Sequence, residues 1–286
     1  MLRFVLRFVG ATALALIAIS ACAADTELSH SFKFTIASRI GIEMQGKKQK
    51  IDADTVLHYT WKQRGSERTL SFDSALVKAG QDGNQVMNTF ISRAKLTNTE
   101  NGKTEEVPFE KSPDKLKEML LDSFGVPVCK LQVDENGKEV KRAIVAGPGA
   151  KDLIDHGMIA NARLFHAPFM RAQDEWSAAT EISMGNGGYA KGELTYKKAA
   201  AGKGGQPVKV SGTLTNEGFK WPGKPLTIKK AKYVIKGEQT YDPIQGEWIS
   251  GNLVIDVSFE MTVDDKPVAL AKGTIVVSLD QLPGKK

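Results

Sequence analysis

The four histidines, His30, His58, His156 and His166, are the side chains best suited to acid–base or metal chemistry in this chain. No two of them have the His-Glu-x-x-His spacing that places two zinc ligands on one helix face, and no Cys-x-x-Cys pair occurs. His58 falls on the polar phase of an alternating segment, which is typical of a solvated side chain. His156 and His166 flank a helical segment and would form a site only if the fold brought them together with an acid. The spacing predicts no metal site and no cofactor.

Motifs for nucleophilic catalysis and phosphate binding are also missing from the sequence. It contains no Gly-x-Ser-x-Gly elbow, and the glycines around 147–149 and 202–205 complete no phosphate-binding loop. The acid pair Asp174 and Glu175 falls in a predicted loop, where such pairs are common. We therefore predict that the protein is not an enzyme.

Residues 1–21 have the composition of an export signal. Arg3 and Arg7 precede a run of apolar and small residues over 9–19, which is shorter than the roughly 20 apolar residues that span a bilayer. Removing this segment removes both arginines and no acid, so the formal charge falls from +6 to +4. The 41% hydrophobic and 25% charged residues are ordinary globular proportions, which exclude collagen-like, wholly disordered and multi-span membrane proteins. Two cysteines exclude a disulfide-dense scaffold.

The export signal ends on Ile19, Ser20, Ala21 and Cys22, which resembles the lipobox of bacterial lipoproteins. In that family the cysteine is acylated and becomes the first mature residue, so the resemblance implies a membrane anchor at Cys22 and a place in the periplasm or at the outer membrane. The alternative is cleavage after Ala23, which would give a soluble secreted protein. The other cysteine, Cys129, alternates in phase with neighbouring apolar residues and is predicted to be a buried structural thiol.

Alternation of apolar and polar residues dominates the rest of the chain. In the longest case, over 249–263, Val254 is the one apolar residue on the polar phase. Asp264 and Asp265 then turn the chain into a second alternating segment over 269–279. Two such strands would reach roughly 40–50 Å, whereas a typical strand has about 5–6 residues. Because long paired strands twist and curl, we predict a mainly β fold: a long, strongly curved antiparallel sheet with the meander of a half-barrel.

Two short helical segments interrupt the predicted sheet. Ser112 suits an N-cap, Pro113 the first helical position and Gly125 a stop, so 113–124 is predicted to be helical. The second segment lies within 150–166 and is broken at Gly157. We predict a tether over 22–27 and an antiparallel β domain over 28–281. This domain is either one sheet or two lobes, 28–147 and 168–281, joined by the second helical segment.

A curved sheet of this kind predicts a cavity lined by alternating apolar residues. The candidate lining residues are Leu253, Ile255, Val257, Phe259, Ile275 and Val277. Lys230, Lys232 and Lys236 share one face of a strand and are candidates for contact with an anionic surface, such as lipid headgroups; the alternative is that they keep a long strand soluble. No aromatic residues are interleaved with these lysines, so a nucleic-acid partner is not predicted.

Two stretches of the chain resemble an uncharacterised family of exported bacterial β-proteins, a domain family of unknown function. Pro168, Asp174 and Trp176 match the family's proline and Gly-Asp-x-Trp, with Gln173 in place of the glycine. A late turn of the family is matched by Tyr241, Asp242 and Gly246. In architecture, the predicted sheet is similar to periplasmic lipoprotein-carrier and mycobacterial lipid-carrier half-barrels.

These likenesses imply an exported, lipid-anchored envelope protein that binds a hydrophobic ligand or lipid without enzymatic activity. The alternative is a structural or protein-interaction module of the cell envelope, with a filled core and no small-molecule ligand.

The lipobox resemblance makes a direct prediction about Cys22. We expect Cys22→Ser to move the protein from the membrane fraction to the soluble fraction, because several acyl chains on one residue hold a protein firmly at about 0.8 kcal/mol per buried methylene. Fractionation of the host followed by immunoblotting measures this change. A Cys22→Ser variant that stays in the membrane fraction after a salt wash would refute the anchor.

Overall fold

The computed structural model describes residues 27–92, 95–100, 103–111, 114, 123–133, 139–145, 147, 164, 172–185, 188–201, 204–243 and 247–283. It confirms the predicted fold class, because this part of the chain is almost entirely antiparallel β-sheet. The export signal and residues 22–26 of the tether, including Cys22, lie outside the described residues, as do His156 and His166. The predicted domain boundaries stay a prediction.

Fourteen strands form the sheet. In the first half of the chain they are β1 Leu28–Met44, β2 Lys47–Arg64, β3 Glu67–Gln81, β4 Asn84–Ser92, β5 Lys95–Glu100, β6 Lys103–Pro108, β7 Pro127–Val133 and β8 Glu139–Ile144. In the second half they are β9 Glu175–Gly185, β10 Gly188–Lys198, β11 Gln206–Lys220, β12 Leu226–Asp242, β13 Glu247–Val263 and β14 Lys266–Gln281.

The sheet is an antiparallel meander that begins and ends at its centre. The strand order is β6-β5-β4-β3-β2-β1-β14-β13-β12-β11-β10-β9, with β7 paired to β3 and β8 paired to β7. The first strand β1 therefore pairs with the last strand β14, and strands from both halves of the chain share one sheet. In the described part of the chain the main path is open, with β6 and β9 at its edges.

The two ends of the strands differ in the connections that they carry. One end, here called the hairpin rim, carries the connections β1–β2, β3–β4, β9–β10, β11–β12 and β13–β14. The opposite end, here called the terminal end, carries Leu28, where β1 begins, and Gln281, where β14 ends. Three rim turns have positive φ at both central residues, as two-residue hairpins require: Gln45 and Gly46, Asp82 and Gly83, Asp264 and Asp265.

One face of the sheet carries the hydrophobic core, and the sheet curls around this face. Arg68 on β3 and Glu247 on β13 lie 3.7 Å apart across it. In a flat sheet these strands, four places apart in the strand order, would be separated by about 19 Å, which is more than the two side chains can span. The core face is therefore concave. Its buried aromatic residues are Phe32, Phe34, Tyr59, Trp61, Phe72, Trp176, Tyr196, Tyr233 and Trp248.

Glycines on the concave face allow neighbouring strands to approach closely at the bend. Gly212 on β11 pairs with Leu194 of β10 and with Ile235 of β12. A Cβ atom at Gly212 would overlap the backbone oxygen of Glu193 and lie 2.7 Å from Cδ2 of Leu194. A Cβ atom would overlap the carbonyl oxygen of an adjacent strand in the same way at Gly192, Gly237 and Gly273. Curvature of this kind depends on the missing side chains.

Both predicted helical segments are represented among the described residues. Asp114 and Ser123 are helical, and Gly125 follows with φ of 68° and donates its N–H to the carbonyl oxygen of Phe72. Leu164, in the second segment, is helical and 1% exposed. The buried side chain of Gln239 donates to its carbonyl oxygen at 2.7 Å, which fixes this residue against β12.

The glycine contacts predict a difference between two positions on the same strand. We expect Gly212→Ala to lower the free energy of unfolding by about 2 kcal/mol, because the new methyl group must displace the backbone of β10. The matched control is Gly218→Ala on β11, where a Cβ atom would meet no atom within 4 Å. Its effect should stay within about 0.5 kcal/mol, and urea unfolding compares the two. Equal losses at both positions would show that the close approach at Gly212 is unimportant.

Candidate functional site

The six residues predicted to line a cavity lie together on the concave face. Register pairs Leu253 with Val277 and Ile255 with Ile275, and places Phe259 opposite Ala271. Leu253, Ile255, Val257 and Val277 are fully buried, whereas Phe259 and Ile275 are half-buried and pack against the core. The structure therefore brings the six side chains together. Phe259 and Ile275 lie where the side chains of β13 and β14 change from fully buried to half-buried.

On β1, β2, β13 and β14, burial on the concave face decreases from the terminal end to the hairpin rim, whereas Ala190 on β10 and Ile228 on β12 stay buried near the rim. Along β1, Phe32 and Phe34 are at most 1% exposed, Ile40 is half-buried and Met44 is 46% exposed. β2 runs in the opposite direction, from the rim to the terminal end, so its more exposed residues come first, and Ile51 near the rim is 39% exposed. The half-open face, as we call the rim-side part of the concave face, comprises Ile36, Ile40, Ile42, Phe259, Met261 and Ile275.

Close packing of aromatic side chains fills the terminal half of the concave face. Phe32 stacks on Tyr59 with ring centroids 5.4 Å apart, and Trp176 stacks on Tyr196 at the same distance. Burial raises the pKa of the Tyr59 phenol well above its ordinary value, because the phenolate would lose its hydration. The terminal half is thus a filled core.

A buried polar cluster joins five strands at the terminal end. The carboxylate of Glu247 lies 3.7 Å from Nη1 of Arg68 and 3.9 Å from Nε2 of His30. Nε of Arg68 donates to Oε1 of Gln63 at 2.8 Å. Nε2 of Gln281 and Nδ1 of His30 are 2.7 Å apart. The cluster connects β13 to β1, β2, β3 and β14, so it can form only when the sheet is curled.

The electrostatics of this cluster are dominated by desolvation. Burial raises the pKa of Glu247 above its ordinary value, and the charges of Arg68 and His30 oppose that shift without cancelling it. The distances from Glu247 to Arg68 and to His30 exceed hydrogen-bond length. This arrangement joins the strands at the terminal end of the curled sheet.

The polar cluster was not predicted from sequence, although a signal for it exists. His30 alternates in phase with Phe32, Arg68 in phase with Leu70, and Gln281 in phase with Leu279. Polar residues that continue an apolar phase at the end of a strand are candidates for a buried network. The sequence could not show that these strand ends meet.

The three lysines predicted to contact an anionic surface lie on β12, and two of them form ion pairs. Nζ of Lys230 is 3.1 Å from Glu260, and Nζ of Lys236 is 3.7 Å from Asp256. Lys232 is exposed between Thr215 and Ser258 on the neighbouring strands. Their role in surface binding stays a prediction.

An open groove of about 390 Å³ runs over the outer face beside Lys236. Lys197 lies directly opposite Lys209 in this groove, and Lys197 also pairs with Glu175 at 3.2 Å. The lining is otherwise formed by Thr195, Val210, Ser211 and Gly237. Carboxylates neutralise two of its three lysines, so the groove is a mixed-charge surface.

The remaining side chains that could be reactive or bind a metal lie apart from one another. Cys129 is 3% exposed in β7, which confirms the predicted buried thiol. His58 is half-buried, with Nδ1 at 3.1 Å from the hydroxyl of Ser74. Among the described residues, no three His, Cys, Asp or Glu side chains are grouped so that they could hold a metal ion. In the same part of the chain, no helix has the length and apolarity to cross a bilayer.

Comparison with known proteins identifies no family for this chain. No family model and no curated protein matches it. Among solved structures it is similar to lipovitellin, in a structure concerned with lipid–protein interactions, with a TM-score of 0.45 and 10% identity over 92% of this chain. The chain spans only 26% of that lipovitellin chain.

Two bacterial proteins are similar over most of both chains, at lower TM-scores. OccK5 (OpdH) of Pseudomonas aeruginosa has a TM-score of 0.25 and 9% identity, covering 89% of this chain and 98% of its own. The translocator domain of the autotransporter NalP from Neisseria meningitidis has a TM-score of 0.20 and 8% identity, covering 96% of each. Similarity of this extent assigns neither a family nor a function.

The raised pKa of Glu247 predicts a pH-dependent stability difference. Between the ordinary and the raised pKa, the folded state holds more protons on Glu247 than the unfolded state, so stability falls as pH rises through this window. Glu247→Gln removes this titration. We expect Glu247→Gln to gain stability relative to the wild type as pH rises from the ordinary pKa of glutamate toward neutrality, measured by urea unfolding at each pH. A constant difference at every pH would contradict the assignment.

Proposed function

We propose that this protein binds a hydrophobic ligand, of the class of lipids, on the half-open face. The single observation that carries the proposal is the burial gradient, because an apolar concave surface that is filled at one end and half-exposed at the other offers a bounded site for an apolar chain. The proposed role is non-enzymatic. It operates in the cell envelope, where an acyl group at Cys22 would tether the protein.

The chemistry of the half-open face suits an alkyl chain. Its side chains are aliphatic, aromatic or thioether, and burying each methylene of a ligand against them contributes about 0.8 kcal/mol. On the same rungs Ile40 faces Gly273, whose Cβ position is filled by the backbone of β1, and the buried Ala271 faces both Ile42 and Phe259, so the larger side chains form the contact surface. Entry would occur from the hairpin rim, because the aromatic core and polar cluster occupy the terminal end.

Two variants on β14 test the proposal. Ile275→Asn places an amide on the half-open face, and we expect it to weaken binding of a fluorescent fatty-acid probe about tenfold, because about 1.4 kcal/mol of apolar contact is lost. The matched control is Leu270→Asn, which replaces a 39% exposed aliphatic residue on the outer face of the same strand. It should leave probe affinity unchanged. Urea unfolding of both variants separates loss of contact from loss of fold.

Native mass spectrometry of the protein purified from its own host gives an independent result. Co-purifying lipid supports the proposal. A clean apo mass, together with a probe that does not bind or that binds both variants like the wild type, would overturn it. That outcome would favour the alternative of an envelope interaction module whose half-open face is covered by another protein.

A further inference from the structure

The connection between β11 and β12 differs in composition from the other turns of the hairpin rim. Residues 219–225 contain two lysines, two prolines, a phenylalanine and a tryptophan, and no acid. The ring of Phe219 lies over Gly188, where a Cβ atom would be only 2.8 Å from the ring. The ring centroids of Phe219 and Trp221 are 6.4 Å apart. Lys220 and Lys224 are exposed on either side of Trp221.

The loop is held in a defined shape. Trp221 donates its backbone N–H to the carbonyl oxygen of Leu226 at 2.8 Å, and its own carbonyl oxygen accepts the N–H of Lys224 at 3.2 Å. Trp221 is half-buried and packs against the partly buried edge of the core. The loop therefore presents an aromatic side chain between two cations at the same rim on which the half-open face opens.

The two carboxylates nearest the β12 side of this loop are paired with lysines of β12, whereas Glu217 on β11 is exposed. Asp265 lies 2.6 Å from Lys229, and Glu260 lies 3.1 Å from Lys230. In the part of the chain that the structure describes, neither Lys220 nor Lys224 has a carboxylate within 4.0 Å. Asp82 and Asp264 lie on other turns of the rim, as do Lys47, Lys48 and Lys266, and the β11–β12 loop differs from these turns in placing its two lysines beside a tryptophan.

We propose that the β11–β12 loop docks the hairpin rim on an anionic lipid bilayer. Tryptophan is favoured at the interface between headgroups and hydrocarbon, and lysines beside it are attracted to anionic headgroups. Docking in this orientation places the opening of the half-open face against the bilayer. This surface lies at the opposite end of the strands from the proposed acyl anchor, so the docked bilayer would face the one that holds the anchor, and docking does not require that the concave face hold a ligand.

The test uses the full chain immobilised through a C-terminal tag, because Gln281 lies at the terminal end and the rim then faces the solution. We expect capture of vesicles that contain phosphatidylglycerol in phosphatidylcholine, and little capture of phosphatidylcholine vesicles alone. Because each lysine near an anionic surface is worth about fivefold in partitioning, Lys220→Glu/Lys224→Glu should weaken capture by roughly 30-fold or more. The matched control, Lys197→Glu/Lys209→Glu, makes the same charge change near the terminal end and should capture vesicles like the wild type.

Trp221 supplies a spectroscopic readout of the same contact. The other three tryptophans, Trp61, Trp176 and Trp248, are at most 8% exposed, so a change in emission on vesicle binding reports Trp221. We expect a blue shift and quenching by brominated phosphatidylcholine in the vesicles, both absent in Trp221→Phe. Equal capture of neutral and anionic vesicles, undiminished capture by Lys220→Glu/Lys224→Glu, or unchanged Trp221 emission would each overturn the proposal.

Binding of the fluorescent fatty-acid probe is measured in parallel. It should be unchanged in Lys220→Glu/Lys224→Glu, because neither lysine belongs to the half-open face. Failure of vesicle capture with intact probe binding would reject the docking surface alone, whereas failure of probe binding with intact capture would reject only the proposed ligand site.

Discussion

The close contact between backbones on the concave face is the constraint on which this structure depends. Where Gly212 and Gly237 pass neighbouring strands, a carbonyl oxygen of the adjacent strand occupies the space that a Cβ atom would need. Long antiparallel strands twist in any case, but twist alone does not bring β3 to β13. Gly273 on β14 lies between these two strands, and the carbonyl oxygen of Arg39 on β1 occupies its Cβ position. The curl of this part of the sheet lets side chains from strands four places apart meet, while Gly212 and Gly237 allow the same close approach among β10 to β13.

The curl also determines which charges can be buried. Removing an arginine and a glutamate from water is costly, and their attraction offsets that cost only when they are close together. Arg68 and Glu247 come close only across the curled sheet, with His30 and Gln281 completing the cluster. A flatter sheet would separate the charges, so the cluster selects the curled arrangement even though it adds little net stability.

The interior of the curled sheet is filled at one end of the strands and only partly filled at the other, and this difference produces the candidate site. At the terminal end, aromatic rings, the polar cluster and Leu164 occupy the interior. Toward the hairpin rim, β1, β2, β13 and β14 continue the same alternation, but most of their inward side chains are only half-buried or exposed, whereas Ile228 on β12 stays buried. Both ends of the β domain leave from the filled end, so a tether over 22–27 would not obstruct the half-open face.

The sequence by itself determined the strands, their phase and their turns. Alternation over 249–263 predicted β13, Asp264 and Asp265 predicted the turn to β14, and apolar spacing placed Leu253 and Ile255 on one face with Val277. These properties are local, because the period of two and the demand for positive φ act within a few residues. The sequence also indicated strong curvature from strand length alone.

Tertiary structure decided everything that requires distant strands to meet. The pairing of β1 with β14, the cluster around Glu247 and the loss of burial between Phe34 and Met44 all depend on how far the sheet curls. Curl accumulates over many strand pairs. The sequence around a glycine such as Gly212 does not indicate which carbonyl oxygen of a neighbouring strand will lie against it. The inward phase is therefore a local property of the chain, whereas the half-open part of that face exists only once the sheet has folded around its core.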